Sequence, residues 1–266
     1  MGHLLRPLRQ DYRRQLGAVA CDSQERKVID ETRAHCSAAA EPAITGTRGG
    51  RKASAGTRAF YRRWVGWTVA GEAAGFAVAA SAGVLVAPQD VPTVPEFALL
   101  VGAGSIEGAL LGAGQAIAMT RLQLPPRMLR RWPVVTSVAA ALAWTIGLLP
   151  SSIPHIPWSS PATWLIAAVL GSALLLSIPT AQYLLLRSAI HTAGRWIWVN
   201  VLAWSLAICW TLAPSPLVNA STPLLSLIGI YATAGLLMAT TIAVITGLCW
   251  FSWLRTGVVR TVSRVT

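Results

Sequence analysis

Apolar residues run through this chain in six long stretches, residues 64–86, 97–120, 133–149, 164–186, 196–212 and 224–253, separated by short polar or proline-rich breaks. A helix rises about 1.5 Å per residue, so roughly 20 residues cross a hydrocarbon core about 30 Å thick. The pattern therefore predicts an all-α polytopic membrane protein with six transmembrane helices.

The breaks are of two kinds. Residues 87–95, 150–161 and 213–223 contain no Lys or Arg, whereas the other connections hold Arg121, Arg127, Arg130 and Arg131, then Arg187 and Arg195, and Arg255, Arg260 and Arg264 follow the last stretch. Thirteen further basic residues precede Trp64. Short loops carrying Lys and Arg stay cytoplasmic, so both termini are expected inside a cell (plasma) membrane. The expected organisation is a basic, disordered cytoplasmic tail over residues 1–60, a six-helix membrane domain over 61–256 and a basic cytoplasmic tail over 257–266. Within the first tail, residues 23–35 carry enough alternating charge for a short helix, and residues 38–58 read as a disordered linker.

Composition fits lipid as the main solvent: 54% of residues are hydrophobic and only 12% charged. The net charge of +12 would suggest nucleic acid in a soluble domain. Here the same residues flank apolar stretches, so the expected partner is a bilayer with an anionic inner leaflet, and no nucleic acid. A membrane-protein partner or a homo-oligomer remains open. Trp64, Trp67, Trp132, Trp196, Trp198, Trp250 and Trp253 fall at inner helix ends and Trp158 and Trp164 at an outer one, which predicts an interfacial aromatic belt.

Arg-Trp opens three of the stretches, at Arg63, Arg131 and Arg195, and a polar residue follows five positions after each Arg: Thr68, Thr136 and Asn200. The second and fourth stretches answer with Gln115 and Gln182 shortly before Arg121 and Arg187, while the sixth ends at Arg255 without a Gln. The spacing reads as three parallel hairpin repeats about an axis along the membrane normal. From Trp64 onward the chain resembles uncharacterised small multi-span membrane proteins of bacteria, in which a Gly-rich helix ending in Gln and Arg precedes an Arg-Trp helix. The residues that carry this are Gly108, Gly112, Gln115, Arg121, Arg131 and Trp132, then Gln182, Arg187, Arg195 and Trp196. The resemblance implies the membrane fold and brings no activity.

Small residues recur every four positions at Gly71, Gly75, Ala79 and Gly83, at Gly104, Gly108 and Gly112, and at Gly235, Ala239, Ala243 and Gly247. Such faces let helix backbones approach closely in lipid, where the hydrophobic effect does not drive packing. Counted from the flanking Arg residues, Thr68, Gln115, Thr136, Gln182 and Asn200 lie about 8–9 Å above the inner boundary. They form a candidate polar layer that serves either as interhelical hydrogen bonds or as the lining of a cavity.

Glu72 and Glu107 are the acidic residues deep within spans, at about 14 and 21 Å from the inner boundary. A carboxylate at mid-helix costs about 2.5–3.5 kcal/mol on insertion scales, so each needs a reason. Either they hydrogen-bond across helix pairs, or they handle protons or cations. Catalytic motifs are missing from the sequence, His155 and His191 fall on opposite membrane sides, and the four cysteines show no metal spacing. No enzyme, cofactor or metal site is expected. The sequence leaves a structural or assembly membrane subunit beside a small proton- or cation-coupled transporter or channel.

Overall fold

The computed structural model describes residues 42–86, 94–219 and 221–261, and the chain divides into two units, Met1–Ala55 and Gly56–Thr266. The helix expected over residues 23–35 lies outside the described residues, as do most of the loop 87–95 and the last five residues. Within the first unit only helical backbone from Pro42 onward is described. Helix α1 (Pro42–Val86) thus replaces much of the linker expected over residues 38–58. A proline at the first helical position gives up no hydrogen bond, and the Ala, Arg and Lys residues that follow are good helix formers.

Five more helices make up the rest: α2 (Val94–Met119), α3 (Pro126–Leu148), α4 (Pro161–Leu186), α5 (Gly194–Leu212) and α6 (Leu224–Arg255). Short 3-10 turns at Pro150–Ser152 and Ser215–Leu217 follow α3 and α5. Among the described residues, five of the six helices are long and apolar enough to cross a membrane. Helix α3, with 23 residues, has the length at about 34 Å, but Arg127, Arg130 and Arg131 in its first two turns lower its apolarity. It starts at Pro126, seven residues before the apolar stretch that opens at Pro133, so Pro133 lies inside the helix. The Pro133 ring has no N–H, so it leaves the carbonyl four residues earlier without its usual helical partner.

Each helix packs on the next, and α6 closes the circuit by packing on α1. Glycines set the closest approaches. On α2, a side chain at Gly108 would strike Ala140 and the backbone at Thr136, one at Gly112 would come within 2.7 Å of Pro133 Cα, and one at Gly104 would overlap the Trp144 indole. On α1, Gly71 and Gly75 lie against Leu110 and Glu107 of α2, and Gly235 and Gly247 of α6 receive Phe76 and Trp64 of α1. Gly83 ends the first small-residue stripe in open space.

The ends of the bundle differ. The Arg-bearing end holds the main core, to which all six helices contribute, including Phe60, Met119, Trp132, Leu186, Trp196 and Trp250. The segment after α6 belongs to this core as well, in contrast to the free tail expected from residue 257. Gly257 turns the chain with φ 73°, Val259 is buried, and the Gln123 N–H donates to the Arg260 carbonyl at 2.9 Å. Only glycine adopts that left-handed turn without strain.

Candidate functional site

A floor of tryptophans closes the Arg-bearing end. Trp64, Trp132, Trp196, Trp250 and Trp253 are at most 1% exposed. Ring centroids lie 5.9 Å apart for Trp64 and Trp196, 6.1 Å for Trp132 and Trp196, and 5.1 Å for Trp250 and Trp253. These five rings are not the interfacial belt that their place near helix ends predicted. Each lies on the inward face of its helix, and a large ring gains more from edge-to-face packing in the core than from the headgroup region. Trp67, Trp158, Trp164 and Trp198, by contrast, are exposed, as a belt requires.

One turn further into the bundle lies the polar layer. Thr68, Thr136 and Asn200 follow Trp64, Trp132 and Trp196 by four residues, the spacing that stacks side chains on one helix face. All five residues assigned to this layer are at most 1% exposed. Gln182 is its hub: its amide donates to Gln115 Oε1 at 3.0 Å and to Thr136 Oγ1 at 3.0 Å, and its Oε1 accepts the Trp196 indole N–H at 2.9 Å. The Trp132 indole N–H donates to Gln115 Oε1 at 2.8 Å. Asn200 turns its amide to its own helix, donating to the Trp196 carbonyl at 2.8 Å. Thr68 Oγ1 has no hydrogen-bond partner among the described residues.

A sixth member was not apparent from sequence. The Trp64 indole N–H donates to Thr246 Oγ1 at 3.1 Å, and Thr246 is fully buried. Thr246 stands on α6 in the role that Gln115 and Gln182 play on α2 and α4. Its shorter side chain lies nine residues before Arg255, where the Gln spacing of five or six gives no cue. The signal that could have found it is the unfilled partner of Trp64.

The two glutamates meet different fates. Glu107 Oε2 accepts the Trp144 indole N–H at 2.8 Å, across the gap that Gly104 leaves open. Trp144 is a second residue that sequence reading missed. Glu72 is wholly buried, and neither of its carboxyl oxygens has a hydrogen-bond partner among the described residues. A Cβ at Gly75 would lie 2.8 Å from Glu107 Cα. Glu107 is therefore level with the residue three positions beyond Glu72, about 4.5 Å along α1, closer than the 7 Å or so expected from counting.

Most buried polar groups in folded proteins are satisfied, and the cost of leaving one bare rises in lipid. Glu72 is thus an unpartnered carboxyl one turn beyond Thr68, the layer's own unpartnered member, while Gln115, Thr136, Gln182 and Asn200 are bonded. Neither the apolar groove between α1 and α2, lined by Val78, Ala82, Leu99 and Ala103, nor the cleft between Gln123 and Val258 includes a glutamate. Comparison with protein-family models, with curated proteins and with solved structures finds no match to this chain.

Proposed function

We propose that this multi-pass membrane protein is non-enzymatic, sits in a bacterial plasma membrane with both termini in the cytoplasm, and handles a proton or small cation at Glu72. The observation that carries the reading is the Glu72 carboxyl, buried at mid-span with both oxygens unpartnered among the described residues. An intramembrane ionisable group marks a functional site by default, and one without a structural hydrogen bond has no packing role to account for it. Glu107, anchored by Trp144, is the carboxyl on the neighbouring helix. The tryptophan floor closes this site from the Arg-bearing side.

The hydrogen bonds from Trp64 to Thr246, Trp132 to Gln115 and Trp196 to Gln182 support three hairpin repeats. In each, the tryptophan of an odd-numbered helix donates to the polar residue of the even-numbered helix before it around the circuit. A second reading, a scaffold or assembly subunit, is favoured by the glycine-packed α1–α2–α3 contacts.

Proteoliposomes separate the two. Wild type should carry a pH-dependent proton or monovalent cation flux, and Glu72→Gln should reduce it at least about tenfold, because the amide keeps the shape and loses the titrating group. A folded wild type with no flux of either kind favours the scaffold.

A further inference from the structure

Glu72 does not stand alone among unpartnered groups. Thr68 Oγ1, both Glu72 oxygens and Trp204 Nε1 are buried atoms without a hydrogen-bond partner among the described residues, as are Arg63 Nε, Thr192 Oγ1, Trp250 Nε1 and Trp253 Nε1 nearer the Arg-bearing end. Thr68 and Glu72 are four residues apart on α1, on the face that carries Trp64. Trp204 is eight residues beyond Trp196 on α5, as Glu72 is eight beyond Trp64 on α1. The Trp64 and Trp196 rings lie 5.9 Å apart, so Glu72 and Trp204 fall at one level, about 12 Å further along two helices that run the same way. Trp204 also reaches across the interior. Half-buried, it packs against the cluster of Ala139, Ala140 and Ile178 and, with Phe76, against that of Ala207, Met238 and Ile242.

We propose that Thr68, Glu72 and Trp204 form one proton-binding cage between α1 and α5, which takes a hydrated proton in preference to an alkali-metal cation. The proposal rests on the reading of Glu72 as an exchange site and names its ligand. A carboxylate and a hydroxyl offer acceptors, whereas an indole N–H only donates. Water satisfies both, accepting from Trp204 while donating to Glu72 or Thr68. A hydronium in that position passes its proton to the Glu72 carboxylate, leaving a carboxylic acid and a water that keeps the Trp204 hydrogen bond. A metal cation has no lone pair for the indole and would face its positive hydrogen. The cage also supplies three oxygens, where hard cations such as calcium take about six to eight.

Charge around the cage is sparse. Helix α2 contributes Glu107; α3 from Pro133 to Leu148, α5 between Arg195 and Cys209, and α6 between Tyr231 and Cys249 contain no Asp, Glu, Lys, Arg or His. Helix α4 has none between Pro161 and Arg187, its Tyr183 lying near the Arg-bearing end. No basic side chain competes with the proton for Glu72.

Infrared titration of the purified full-length protein tests the cage. The protonated-carboxyl band of Glu72 is assigned by its loss in Glu72→Gln. Thr68→Val keeps the packing shape and removes the hydroxyl, and Trp204→Phe removes the indole N–H together with part of the ring. Each should move the midpoint of that band by about tenfold in proton concentration, a change typical of one hydrogen bond. Sodium or potassium should leave the wild-type midpoint unmoved. An unchanged midpoint in both variants overturns the cage, and a midpoint displaced by sodium or potassium overturns the proton preference; both results leave Glu72 as an exchange site. No titrating Glu72 band, together with no liposome flux, overturns the underlying reading itself. If Trp204→Phe does not fold, Thr68→Val decides alone.

Discussion

At the Arg-bearing end Trp64, Trp132, Trp196, Trp250 and Trp253 are at most 1% exposed, whereas towards the proline-loop end Trp164, Leu165, Val169, Leu212 and Leu225 are 61–82% exposed. Both regions are apolar, and in water the second would be an aggregation hazard. In lipid an exposed Leu has no reason to hide, so apolar content does not decide which residues pack. Packing follows from shape and hydrogen bonds instead. Indole N–H groups, glutamine amides and glycine gaps are concentrated where the helices converge, and lipid-facing Leu, Ile and Val are concentrated where they do not.

The contrast predicts a graded response to substitution. Trp196→Ala should have the largest effect, about 3–5 kcal/mol of stability, since it opens the floor where four other rings meet and strips Gln182 of a donor. Unfolding in detergent micelles would read this, and a loss under about 1 kcal/mol would put the stability elsewhere. Gln182→Leu should come next, at about 1–2 kcal/mol, because it removes three hydrogen bonds worth roughly 0.6 kcal/mol each. Val169→Ala at the exposed end of α4 should change stability by less than about 0.5 kcal/mol in the same assay. A large Val169 effect would erase the difference between the two ends.

Much of this was legible in the sequence, for reasons that also mark the limits. Apolar run length and proline placement located all six helices, since both act locally along the chain. The five-residue offset after each Arg-Trp picked out Thr68, Thr136 and Asn200 because a fixed offset from a helix end is a fixed depth. Gln182 does bond both Gln115 and Thr136. What was not legible depends on which way a helix faces. Trp64 and Trp67 both lie near the start of the span, yet one is 0% and the other 41% exposed, and depth alone does not separate them. Thr246 and Trp144 were missed because their roles come from partners on other helices. The fold-back of Val259 was hidden because five residues after a basic helix end look like any tail.

Glu72 inverts the rule that governs Gln182. The glutamine is held by three hydrogen bonds, and the carboxyl by none among the described residues. The most direct measurement is therefore the unfolding free energy of Glu72→Leu in micelles beside wild type and Gln182→Leu. A site kept for exchange predicts that Glu72→Leu is as stable as wild type or more so, by up to about 1–3 kcal/mol, because an unsatisfied buried group is replaced by an apolar one. Destabilisation by Glu72→Leu equal to that of Gln182→Leu would contradict this and make Glu72 a structural member of the polar layer.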